Sequence, residues 1–153
     1  MPEARRAAIR AAILDESADP GRKTAVLDTL IKFVDLNHDG EPEVIAQGAG
    51  NYHCSPTGNC PVWVFRRVRD KFTLILEAIG QTFIVEKRAR GYSDIVVRMH
   101  GSASVSSFEV FRYEKGEYRQ TGCYLATWDW TDKSPKSRRS EPEITECPTQ
   151  PKP

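Results

Sequence analysis

Residues 35–43 read Asp-Leu-Asn-His-Asp-Gly-Glu-Pro-Glu, and the runs on either side are β-like. Leu-Ile-Lys-Phe-Val precedes the segment and Val-Ile-Ala-Gln follows it, so it joins two strands and not two helices. Gly40 permits a sharp turn there, because it has no Cβ and takes positive φ at little cost. Oxygen-bearing side chains fall at the first, third, fifth and ninth places. A hard cation such as Ca²⁺ gathers six to eight oxygen ligands about one point. The pattern predicts ligation by the side chains of Asp35, Asn37 and Asp39, the backbone carbonyl of Glu41 and the carboxylate of Glu43. The competing reading is a solvated turn in which Asn37 and Gly40 serve turn chemistry alone. An ordinary EF-hand is excluded, since it needs a helix on each side and a glutamate at the twelfth loop position. His38 is expected to be exposed.

The totals narrow the function classes. With 22 Lys and Arg against 21 Asp and Glu, the 153-residue chain carries a net charge of +1. That balance favours neither nucleic acid nor an anionic membrane surface. No apolar run approaches the length of a membrane span. Residues 1–14 are alanine-rich but interrupted by Arg5, Arg6 and Arg10, unlike a secretory leader.

Four cysteines stand at 54, 60, 123 and 147. Cys54 and Cys60 bracket Ser-Pro-Thr-Gly-Asn, a turn-rich stretch that brings two Cα atoms within bridging distance. They are expected to pair, which leaves Cys123 with Cys147 by elimination. Three connectivities exist in principle, and sequence excludes none of them. A zinc site fits poorly, because the Cys54/Cys60 spacing is wider than the usual one. Two disulfides imply an oxidising compartment, periplasmic or extracellular. The sequence is therefore expected to be a mature form without its leader or lipoprotein anchor.

The expected class is α+β. Residues 3–16 read as a helix, with Pro2 suited to its first turn and Ile9 and Ile13 on one face. Asp19-Pro20-Gly21 ends it. That helix is expected to pack on a curved, mainly antiparallel β-meander of about seven strands. Further strands are read at residues 62–68, 72–79, 82–87, 94–99, 107–113 and 118–125, with turns at Arg69-Asp70-Lys71 and 114–117. One domain is expected over residues 1–131. Residues 132–153, rich in proline, serine and charge, are expected to be an extended tail tethered at Cys147.

The loop resembles the calcium loops of FG-GAP and VCBS-type β-propeller repeats, which also join two strands. A propeller needs several repeats, and one copy is present here. The order helix, Asp-Leu-Asn-x-Asp-Gly-x-x-Glu, Cys-x5-Cys and strand is also similar to uncharacterised bacterial exported proteins and lipoproteins. In those a glycine-rich cysteine loop precedes a Gly-aromatic-x-Asp segment, matched here by Gly58 and by Gly91-Tyr92-Ser93-Asp94-Ile95. The resemblance spans about residues 3–125. It implies an exported location and the metal loop, and no catalytic residues.

Other candidates are weaker. His100-Gly101-Ser102-Ala103-Ser104 places serine near histidine but has no Gly-x-Ser-x-Gly elbow and no following helix. Its texture resembles the inserting loops of bacterial lysozyme inhibitors. Arg66, Arg67, Arg69 and Lys71 form one basic group and Lys87, Arg88, Arg90 and Arg98 another; guarded, solvated strands explain both. Trp128 and Trp130 suit core cover better than a ligand platform. Glu77, Glu86 and Glu109 are the carboxylates available for acid–base work. The expected function is an exported, non-enzymatic binding module for a protein or envelope component, stabilised by disulfides and by Ca²⁺. The alternatives are a periplasmic inhibitor or immunity protein against a wall-degrading enzyme, and a small hydrolase.

Overall fold

The computed structural model describes residues 7–9, 11, 29–50, 54–129 and 141–149. Its strands are β1 (Leu30–Val34), β2 (Glu43–Gln47), β3 (Cys60–Val68), β4 (Lys71–Gly80), β5 (Thr82–Glu86), β6 (Asp94–His100), β7 (Val105–Glu114), β8 (Glu117–Thr127) and β9 (Glu143–Glu146). They form two antiparallel sheets, a four-stranded one in the order β1-β2-β3-β4 and a five-stranded one in the order β5-β6-β7-β8-β9.

This overturns the α+β expectation. The molecule is almost all β, helix among the described residues is confined to 7–9, 11 and 50, and its strands are divided between two sheets. The physical reason is where the apolar residues meet. The main core joins the sheets directly, with Ile45, Val62, Val64, Leu76 and Ala78 of the first against Ile95, Val97, Phe111 and Tyr118 of the second. A smaller cluster lies on the opposite face of the four-stranded sheet, where Val44, Ala46, Trp63 and Phe65 are buried with Ile9. The helix expected over residues 3–16 falls mostly outside the described residues.

Turn chemistry sets the hairpins. Arg69 (φ 57°) makes the β3–β4 turn, and Lys115 (φ 51°) with Gly116 (φ 93°) makes the β7–β8 turn. A register shift between Val64 and Phe65 leaves Ile75 as the extra residue, so Ile75 and Leu76 both reach the main core.

The chain changes sheet at Gly80. A Cβ there would lie 2.7 Å from the carbonyl oxygen of Arg98, so only glycine lets the two backbones approach this closely. The Gln81 amide then donates to that same Arg98 carbonyl at 2.7 Å. Gln47 closes the corner, donating from Nε2 to the Gln81 carbonyl at 2.9 Å. β9 lies within the segment that composition marks as a tail, and pairs antiparallel with β8.

Candidate functional site

The acidic loop is organised by its own amides. Asp35 accepts from the backbone N–H of Asp39 at 3.2 Å and of Gly40 at 2.9 Å. Asp39 accepts from the amide of Glu41 and from Asn37 Nδ2, each at 2.8 Å. These donors, the Glu41 amide first, hold the Asp39 carboxyl below its ordinary value. Gly40 (φ 89°) and His38 (φ 62°) supply the two left-handed residues, and His38 is exposed as expected.

Glu43 sits beneath the loop, only 4% exposed. Its Oε2 accepts from the Leu36 amide at 2.8 Å and its Oε1 from the Tyr92 hydroxyl at 3.4 Å. Burial pushes this carboxyl up, and the charges of Asp39 and Asp35 push it the same way. The fold thus gathers the Asp35 and Asn37 side-chain oxygens on the Asp39 amide, buries Glu43 against the Leu36 amide, and leaves Glu41 exposed. Among the described residues no three His, Cys, Asp or Glu side chains converge as a metal-holding group.

Sequence reasoning missed what lies under the loop. The Ser93 amide donates to the Leu36 carbonyl at 2.7 Å, and the Tyr118 hydroxyl donates to the Ser93 carbonyl at 2.8 Å. Tyr92 stacks on Tyr113 at 3.8 Å, and Tyr118 meets both rings edge-on. Burial raises the Tyr92 phenol to about 12 and pushes Tyr118 up as well, so both remain neutral hydrogen-bond donors. Arg112 grips Asp94 with two bonds of 3.3 and 3.0 Å. The segment 91–95 was visible in the sequence only through a resemblance; no spacing rule places it against residue 36.

The cysteines pair as expected, Cys54 with Cys60 and Cys123 with Cys147, and no free thiol remains. Asn59, inside the first disulfide loop, uses its amide like a strand backbone. Its Nδ2 donates to the His100 carbonyl and its Oδ1 accepts from the His100 amide, both at 2.8 Å.

The remaining candidates separate. The loop after His100 is a tight turn, with the amides of Gly101 and Ser102 both bonded to the Val105 carbonyl. The two basic groups belong to different sheets: Arg66 donates to the Tyr113 hydroxyl, Arg67 meets Asp70, and Arg98 donates to Ser106. Glu77 pairs with Trp63 on the face of β4 turned away from the second sheet, while Glu109 lies on β7 and Glu86 ends β5. The Trp128 amide bonds the Ser104 carbonyl at 2.8 Å; Trp130 lies outside the described residues.

One apolar surface was not foreseen. Alternation turns Ile84, Val96 and Val110, which are register partners, away from the main core. The next row on that face is Arg98, Phe108 and Tyr124, and Ile144 of β9 lies beyond it. Ile84, Tyr124 and Ile144 are 54%, 40% and 58% exposed. No helix among the described residues is long and apolar enough to cross a membrane. A scan of protein-family models finds no match to the chain, and searches of curated proteins and of solved structures find none either.

Proposed function

We propose that this chain is an exported, non-enzymatic binding module, working in the periplasm or outside the cell, that takes a protein or envelope component on the outer face of its five-stranded sheet. The observation that carries the reading is the exposure of Ile84, Tyr124 and Ile144 on one face, with Phe108 and Arg98 between them. Exposed apolar residues gathered on one surface mark interaction sites, and aromatic and arginine side chains are the usual anchors of such interfaces. The two disulfides support an oxidising compartment.

Ca²⁺ belongs to this reading as a structural ion held by Asp35, Asn37, Asp39, the Glu41 carbonyl and Glu43. The oxygen-rich donor set suits a hard cation, and the carboxylates of Asp39 and Asp35, which add to burial in raising the Glu43 proton affinity, lie close enough to it to support the reading. Inhibition of a wall-degrading enzyme is the alternative reading, with the exposed residues Gly101, Ser102 and Ala103 as the inserting loop.

The decisive experiment is a paired pull-down from envelope extract, with the wild type and the Ile84→Asp/Tyr124→Asp/Ile144→Asp variant as baits. A partner retained by the first and lost by the second supports the face; equal recovery rules it out. For the ion, millimolar Ca²⁺ raises the melting temperature and Asp39→Ala abolishes the rise. An unchanged melting temperature removes Ca²⁺ from the account.

A further inference from the structure

β9 is a strand without a core. All four of its residues are exposed, and neither apolar cluster contains any of them. It is held by its ladder with β8, by the 2.9 Å bond from the Cys147 amide to the Cys123 carbonyl, and by the Cys123–Cys147 disulfide. A short strand that buries nothing gains too little from edge hydrogen bonds to offset the entropy of ordering it. The covalent link is therefore what keeps β9 in place. The other disulfide differs, because its loop is also fastened to β6 through Asn59.

The link is also within reach. A surface cleft lined by Gly122, Tyr124, Glu146 and Pro148 opens on Cys123 and Cys147, both half-buried. We propose that Cys123–Cys147 is a redox latch that holds β9 over the edge of β8 and opens to a dithiol reductant. One thiolate of the dithiol attacks a sulfur of the bridge, breaking its S–S bond and forming a mixed disulfide. The second thiolate displaces the protein sulfur. Two electrons and two protons pass to Cys123 and Cys147, and the reductant leaves as its own disulfide. β9 then separates from β8. Alternation from the Cys147–Cys123 bond assigns the Leu125 and Thr127 amides to the β9 side, so these two lose their partners. The latch does not depend on the binding-face proposal.

The test is graded reduction of the full chain with dithiothreitol, followed by alkylation mapping and hydrogen exchange. Cys123 and Cys147 are expected to be labelled while Cys54 and Cys60 remain bonded. The amides of Leu125 and Thr127 are expected to exchange at least tenfold faster, with those of Val62, Val64 and Val97 unchanged. The Cys123→Ser/Cys147→Ser variant reproduces that pattern and stays folded. Persistent protection of Leu125 and Thr127 after the bridge opens overturns the latch. So does simultaneous loss of the core amides, in reduced protein or variant, because a latch must be separable from the core. Free thiols at 123 and 147 in untreated protein overturn it as well.

Discussion

A central strand of the first sheet and an edge strand of the second differ in how many faces they bury. The four-stranded sheet is covered on both sides, and β3 shows the consequence in its sequence: Val62, Trp63, Val64 and Phe65 are buried in succession, feeding the two clusters alternately. In the five-stranded sheet β5 alternates strictly, with Phe83 and Val85 turned to the core and Thr82, Ile84 and Glu86 exposed. A continuous apolar run therefore marks a strand enclosed on both faces, and alternation marks one with a free face. The second sheet shares the main core, and its central strand β6 also buries Asp94 to Val97 in succession, but its edge strands β5 and β9 leave Ile84 and Ile144 exposed for recognition.

Substitutions break or sharpen this contrast. The largest effect is expected at Trp63, where Trp63→Ala destabilises by about 3–5 kcal/mol, as deletion of a fully buried aromatic does. Tyr124→Ala, at a side chain 40% exposed on the other sheet, shifts stability by no more than about 0.5 kcal/mol. Chemical denaturation of both variants checks the pair, and comparable losses would erase the distinction. Asn59→Ala is intermediate. It strips the His100 amide and carbonyl of their partners at the junction between the sheets, and costs about 1–3 kcal/mol in the same assay.

The smallest effect concerns pH. Burial pushes the Glu109 carboxyl on β7 above its ordinary value, which it regains on unfolding. Between the two values the folded chain holds a proton that the unfolded chain has released. Stability therefore falls as pH rises from the ordinary carboxylate value through the raised folded one. Glu109→Gln flattens that slope, and melting curves across the acid range in the presence of a chelator measure it. An identical slope in the variant removes Glu109 as the cause.

Local features were legible in the sequence and remote ones were not. Eight strands follow from alternation, β-branched residues and the turns at Arg69 and Lys115-Gly116, and the structure places each within a few residues of its expected bounds. The first disulfide was legible because the turn-rich residues between its cysteines fold back locally. β9 was missed because Glu-Ile-Thr-Glu in a proline- and charge-rich stretch has no burial signal, and its position depends on a bond to a residue 24 positions away. The division into two sheets was missed because the break at Gly80 is set by Arg98, a contact no local pattern encodes. The loop at residues 35–43 was recognised as a turn, but the placement of Glu43 under it depends on Tyr92 and on the Leu36 amide.

β6 is fastened at both of its ends to connecting loops of the first sheet, just before its start by the Ser93–Leu36 bond and at its finish by the Asn59–His100 pair. Seven residues of strand, about 23 Å at the usual rise, thus behave as a beam pinned at two points. Shear of one layer over the other would have to break both attachments together. Compliance is left to the periphery, so any motion that accompanies recognition is confined to the rim of the molecule.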